Sequence, residues 1–230
     1  MNRILIAALC VSCMLAVPAM GQTVTTELDL FEVQEGKGDD PFLFDSAITV
    51  AGDEFAGVLM TEGGHDSIHF NVHAVTSQAL FAYMPNGSTT LMAGARHDFR
   101  PGRDLSYASF AVTHTFNAIL AGEHFLFISQ DGDVTGAGEV LASVSVNAAL
   151  TLEPRVGLGW AAQDIAREDT AGGFSDVQVA VRLRQSVGPV FNVYVGGVHE
   201  RLLGRSRDIA QTAGDRPDAT RFLVGGGFFF

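Results

Sequence analysis

The sequence predicts an all-β chain. Its fold would be an antiparallel, up-and-down transmembrane β-barrel of about twelve strands, with ten as the alternative count. Three observations carry this expectation. The chain stops on Thr220-Arg-Phe-Leu-Val-Gly-Gly-Gly-Phe-Phe-Phe230, an aromatic strand without a polar tail. In a soluble domain that end would expose an apolar edge, whereas a barrel pairs its last strand with its first and turns the aromatic side to lipid. Several segments alternate apolar and polar residues over about ten positions, the length needed to cross a thin bilayer at a tilt. In the second half of the chain, short turns and longer loops fall on alternate strand ends. A final strand buried in a soluble β-sandwich is the competing arrangement, but a sandwich has no reason to sort its loops by end.

The elements follow in order. Met1 to Gly21 carries Arg3, an apolar run from Ile4 to Val17, and small residues at Ala19 and Gly21 ahead of Gln22. This pattern is a cleavable secretory signal, giving residues 1–21 as signal peptide and 22–230 as the barrel. Cys10 and Cys13 sit too early in the apolar run for lipidation and leave with the signal, so no disulfide is expected. Glu27 to Gln34 is an imperfect strand containing Leu28, Leu30 and Phe31. Phe42 to Val50 and Phe55 to Glu62 form a hairpin about Gly52, and Gly63-Gly64-His65-Asp66 is read as the next turn. Ile68, Phe70 and Val72 oppose His69, Asn71 and His73; Thr76 to Pro85 either continues that strand or bends. Asn86-Gly87 is a strong hairpin signal before Thr89 to Phe99.

Beyond the Arg100–Asp104 loop the alternation is cleaner. Ser106 to Thr115 and Ala118 to Ser129 flank a turn at Asn117, and Gly136 to Asn147 and Leu150 to Ala162 flank one at Ala148. The strand from Asp176 and the returning strand from Val190 to Leu203 flank a turn at Gly188. Gln130–Thr135, Gln163–Phe174 and Gly204–Ala219 are the longer loops, the last two charged. Little helix is expected, because no apolar stripe of helical period persists after the signal.

Composition narrows the function. Lys and Arg number 14 against 26 Asp and Glu, and without Arg3 the balance is −13. That excludes a nucleic-acid partner and leaves lipid as the main one. If the apolar sides face lipid, the polar sides place Arg96, Asp98, Glu139, Glu153, Arg155, Asp176, Arg182, Arg184, Glu200 and Arg221 in the lumen. Charges of both signs on adjacent strands there must pair, because burying them singly is costly. The bland role of this set is to hold a narrow barrel shut and fix its register; an ion conduit is the functional alternative.

No enzyme motif emerges, and no catalytic residue is assigned. There is no phosphate loop and no Gly-x-Ser-x-Gly elbow, and nothing in the sequence brings Ser143 or Ser145 to His124. An outer-membrane hydrolase is therefore the third reading. Candidate metal ligands are His69 and His73, with His65 at the turn and Met60 and Met92 on polar-side positions. Imidazole suits copper, and thioether selects Cu(I). Two histidines four apart on a strand lie about 13 Å from each other, so they cannot share an ion without a bulge. The ordinary alternative is that Met fills a narrow interior and His joins its polar network.

One resemblance covers most of the chain. Gly94-Ala-Arg-His-Asp-Phe-Arg-Pro-Gly102, Leu152-Glu-Pro-Arg155, Ala161-Ala-Gln-Asp164, Gly173-Phe-Ser-Asp-Val-Gln-Val-Ala-Val-Arg-Leu-Arg184, Tyr194-Val-Gly-Gly-Val-His-Glu-Arg201 and the ending Phe222 to Phe230 occur in order. Together they resemble the copper resistance protein B family of bacterial outer-membrane proteins. The resemblance implies a copper resistance or homeostasis barrel that binds copper ions or assists their sequestration or efflux, without catalysis. It also implies a periplasmic multicopper oxidase as partner, with the copper ion as the only cofactor. It carries Arg96, Asp98, Glu153, Arg155, Asp176, Arg182, Arg184 and Glu200 over as interior residues. The chain departs from the family where Phe44-Asp45 stands for a Trp-Asp pair and His199 for a Trp, and no Met- and His-rich segment separates Gln22 from the first strand. A structural barrel closed by charge pairs, with no metal role, is the alternative function.

Overall fold

The computed structural model describes residues 23–37, 40–66, 71–101 and 103–230, the side chains at 65, 66 and 71–73 excepted. The expected signal peptide lies outside these residues. The chain forms a closed antiparallel barrel of twelve strands. They are β1 (Thr23–Gly36), β2 (Pro41–Ala51), β3 (Phe55–Asp66), β4 (Asn71–Asn86), β5 (Thr89–Phe99) and β6 (Leu105–Thr115). The second half contributes β7 (Leu120–Ser129), β8 (Val134–Ala142, resumed at Val144–Ser145), β9 (Leu150–Ala161), β10 (Gly173–Val187), β11 (Phe191–Leu202) and β12 (Asp218–Phe229). Each strand pairs with its sequence neighbours, and β12 returns to β1 through Leu28↔Phe228 and Val33↔Val224. The last residue completes the seam: the Thr26 N–H donates to the Phe230 carbonyl at 2.7 Å, and the Phe230 N–H donates back at 3.0 Å. Closure satisfies the edge groups that lipid cannot.

Three hairpins at one end use the same device. Asn86, Asn117 and Asn147 each accept, through Oδ1, the backbone N–H groups two or three residues on, at 2.9–3.0 Å. The short asparagine side chain mimics a backbone acceptor and tightens the turn. These turns share an end of the barrel with both termini; the opposite end carries the longer loops. The interruption of β8 at Ser143 has a cause on its neighbour. Leu141 pairs with Arg155 and Val144 with Leu152, one continuous register, so Ala142 stands opposite Pro154. Proline has no N–H to give the ladder, and the pairing lapses there.

Alternation sets the two faces. On β10, Val179 and Val181 are 43% and 42% exposed while Ala180 and Arg182 are 1% and 4% exposed. The apolar side is therefore outside, and the charged side within. Aromatic rings cluster toward both ends of the outer face. Phe55 stacks on Tyr83 at 5.3 Å near the short turns, and Phe99 and Phe174 are exposed near the loops. Such girdles sit at the two membrane interfaces.

Two expectations need correction, and one left open between two alternatives is decided. Gly63 to Asp66 is strand, not turn. Gly63 serves close packing instead: a Cβ there would come within 2.6 Å of the Ala74 carbonyl oxygen and 3.0 Å of the Phe44 ring across the ladder. Thr76 to Pro85 is uninterrupted strand within β4. The stretch from Gly204 is not all loop. Gly204–Ala213 forms a helix, α1, which buries Ser206 and Ala210, four apart, against β10. Ten residues give too short a window for a helical stripe to register.

Candidate functional site

The lumen is built in layers. On one wall Arg182 donates from Nε to Glu32 Oε2 at 2.8 Å, with side chains 5% and 0% exposed. Gln34 donates to the same carboxylate at 2.7 Å. Tyr194 lies beside this pair with the Arg184 guanidinium 4.7 Å from its ring centre. Its ring occupies the space above Gly225, where a Cβ would come within 2.5 Å. Next to it, Arg184 donates to Glu153 and Asp29 at 3.0 Å each, and Arg155 donates to Asp29 at 3.0 Å. Glu139 stands 3.7 Å from Arg155. Toward the loop end, Arg96 and Arg100 both donate to Asp98 at 2.7 Å, and Arg221 donates to Glu200 at 2.8 Å. Asp176 accepts from Ser175 at 2.6 Å and makes no ion pair among the described residues. Of the ten charges placed in the lumen from sequence, nine thus lie in ion pairs, several sharing a partner.

An apolar layer crosses the opposite wall. Leu80, Ala111, Phe125 and Phe127 are buried together, with Val58, Met60, Met92 and Tyr107 against them. This layer separates two cavities. Below it lies a chamber of about 590 Å³ that Met60 helps to line and that reaches the short turn after Thr115. Above it, Phe127 borders a smaller cavity of about 160 Å³. The loop between β9 and β10 closes over that upper cavity, with Ile165 and Ala171 buried at 4% and 1% exposure. Arg100 holds the loop at Glu168 (2.8 Å), Arg167 at Asp133, and the Ser206 hydroxyl accepts the Ala171 N–H at 3.0 Å. The Gly172 N–H donates to Asp164 at 2.9 Å and holds that carboxyl below the ordinary carboxylate range, with Arg205 adding to the effect.

The lower chamber is strongly acidic. Glu27, Asp29, Asp45, Glu62, Glu123, Glu139 and Glu153 line it, and Arg155 is its one lining arginine. Seven carboxylates against one guanidinium give a formal balance of −6. Glu27, Asp45, Glu62 and Glu123 have no salt bridge within 4.0 Å among the described residues, unlike the other three. Low-dielectric walls concentrate such a field and draw in cations. Among the described residues no three His, Cys, Asp or Glu side chains converge into a chelating group, so the chamber offers a field of carboxylates and a nearby thioether.

The expected metal ligands separate. Met60 and Met92 share the apolar layer, and Met60 also faces the chamber. His69 lies outside the described residues. His65 stands opposite Phe42 and Val72 in register, and the ladder steps from His65↔Val72 to Gly64↔Ala74, leaving His73 at the irregularity. The side chains of His65 and His73 are likewise outside the described set. His124 is on the outer face, where Trp160 donates to its Nε2 at 3.0 Å. The odd-numbered positions of β8, which include Ser143, share the luminal parity of Glu139, so the imagined Ser–His pairing is not assembled.

Sequence reasoning missed Glu27, Asp29, Glu32, Asp45, Glu62 and Glu123. In β1 the cause is a bulge, where the register shifts between Leu28 and Leu30. Without it, Glu27 and Asp29 have the opposite parity to Glu32 and Gln34; with it, all four reach the lumen. Only the imperfect alternation of Glu27 to Gln34 hinted at this.

Comparison with known proteins fixes the lineage. The family described as "Copper resistance protein B precursor (CopB)" matches residues 22–230. The chain belongs to this family. It is 25% identical over 197 residues to a copper resistance protein B homolog of Pseudomonas syringae pv. tomato, covering 86% of this chain and 66% of that one. It is 24% identical over 207 residues to copper resistance protein B of Escherichia coli, covering 88% and 68%. The chain thus spans about two thirds of the length of these relatives. Among solved structures, the NanC porin superposes with a TM-score of 0.56 at 10% identity, covering 90% of this chain and 99% of that one. Such identity shows the fold alone. The CopB lineage, the greasy outer face and the porin-like barrel place the protein in the outer membrane.

Proposed function

We propose that this CopB barrel serves copper resistance by drawing copper ions from the periplasm into its acidic luminal chamber and holding them there, without catalysing a reaction. The observation that carries this reading is the chamber itself: seven carboxylates and the Met60 face around one cavity that reaches the short-turn end. In outer-membrane barrels the short turns are periplasmic. The carboxylates supply attraction for either oxidation state, and the Met60 thioether favours Cu(I) at the chamber's inner wall, with Met92 in the apolar layer behind it. The apolar layer and the folded loop above it stand between the chamber and the cell exterior, which favours sequestration over free passage. His65 and His73, on strands that pair at the opposite end, would supply a second copper-binding region, with His69 the remaining candidate ligand. A periplasmic multicopper oxidase would meet the barrel at the turns about Gly52, Asn86 and Asn117.

Growth of a deletion strain over a copper series tests the proposal. The wild-type gene should restore tolerance. The triple variant Asp45→Asn/Glu62→Gln/Glu123→Gln should restore little of it while reaching the outer membrane in equal amount. Full rescue by the triple variant would remove the chamber from the function and leave a structural barrel closed by its charge pairs.

A further inference from the structure

Nine of the twelve described arginines have a carboxylate within 4.0 Å. The other three, Arg201, Arg207 and Arg216, have none among the described residues, and they occupy a single stretch from the end of β11 through α1 to the start of β12. In a chain with 26 acidic residues against 14 basic ones, three unpaired arginines gathered in one stretch stand out. Their position is specific. Arg201 continues the outward parity of β11, above Val193 and Val195, which are 52% and 45% exposed to lipid. Arg201 and Arg216 both border one cavity of about 350 Å³ at the loop-end mouth of the barrel, whose other charged lining residues are Asp176, Glu200, Asp218 and Arg221. Lys37 stands on the other flank of β12, its N–H donating to the Thr220 carbonyl at 3.4 Å. Immediately below, Phe222 and Val224 are 56% and 49% exposed on the same outward face. Asp218 stands directly opposite Arg201 in the ladder and Asp215 precedes Arg216, yet among the described residues neither carboxylate comes within 4.0 Å of these arginines.

We propose that this rim is a binding site for the phosphate groups of an outer-leaflet glycolipid. Guanidinium groups bind phosphate with two parallel donors, and the outward apolar strip beneath them suits the acyl chains of the same molecule. A free anion would use the cations and ignore the strip. Basic clusters at the headgroup level of a membrane protein recognise anionic lipid in this way. The site is at the opposite end of the barrel from the acidic chamber and does not depend on the copper reading.

Titration of the folded barrel in zwitterionic micelles, read by native mass spectrometry, tests the assignment. The probes are bisphosphorylated lipid A, its dephosphorylated counterpart and inorganic phosphate. Lipid A should bind at least about tenfold tighter than either of the others. At about fivefold per surface arginine, Arg201→Ala/Arg216→Ala should weaken it about thirtyfold. Arg103→Ala, which removes an exposed arginine already paired with Asp131 on another loop, should change nothing. If the double variant does not fold, Arg216→Gln alone, in a connection outside the strands, should still weaken binding about fivefold. Equal binding by the variants and wild type, or by the dephosphorylated lipid, overturns the proposal. Equal binding of inorganic phosphate overturns the lipid assignment.

Discussion

The Glu32–Arg182 pair gives the clearest test of how the barrel wall is held. Both side chains are almost fully buried, and the two residues lie 150 apart in sequence on strands β1 and β10. The Arg182→Met variant removes the cation and leaves the Glu32 carboxylate in the wall with only the Gln34 amide as donor. Breaking one side of a buried pair costs about 3–5 kcal/mol, because the remaining charge is uncompensated. That is a shift of about a hundredfold to a few thousandfold in the folded-to-unfolded ratio. The double variant Glu32→Gln/Arg182→Met removes both charges and keeps similar volumes, so it should recover most of the loss. Reversible urea unfolding in lipid vesicles, followed by tryptophan fluorescence of Trp160, measures all three proteins. If Arg182→Met unfolds at the wild-type midpoint, or if the double variant is as unstable as the single one, the pair is not what holds these strands.

Three further outcomes follow from the same geometry. Val179→Arg, at the middle of the lipid face of β10, should destabilise the inserted barrel by about 2–4 kcal/mol, while Val187→Arg at the strand end should cost about 1 kcal/mol or less; equal costs would refute the assigned face. Deleting Phe230 removes both seam hydrogen bonds to Thr26, so the yield of heat-modifiable folded barrel in a refolding assay should fall. Because the Asp164 carboxyl is held below its ordinary value, its grip on Gly172 is complete above about pH 4 and is lost as pH falls through the lowered value. Hydrogen-exchange protection of the Gly172 amide, corrected for intrinsic rate, should therefore be flat from neutral pH to about 4 and drop below it.

The barrel was legible because strand alternation survives in every segment that has one face in lipid. Val177, Val179, Val181 and Leu183 against Asp176, Gln178, Arg182 and Arg184 read the same way in sequence and in structure. The asparagine turns were legible for a local reason, since each uses only its own next three residues. What stayed hidden required contacts between distant strands. The bulge at Asp29 inverts parity halfway along β1, so the chamber's acids cannot be assembled from one strand's pattern. The acidic surplus of the composition was visible, but its concentration in one cavity depends on six strands meeting across the lumen. The Gly63-Gly64 pair misled because glycine marks close approach as well as turns, and here the Ala74 carbonyl and Phe44 ring at Gly63, and the Phe42 carbonyl at Gly64, stand where side chains would go. The helix at Gly204–Ala213 escaped because its buried face is only Ser206 and Ala210.

Copper titration of the refolded barrel, with bound metal counted after gel filtration, bears most directly on the chamber. Wild type should retain copper, the Asp45→Asn/Glu62→Gln/Glu123→Gln variant should retain markedly less, and His69→Ala/His73→Ala should keep the chamber's share. Identical retention by wild type and the carboxylate variant would contradict the account.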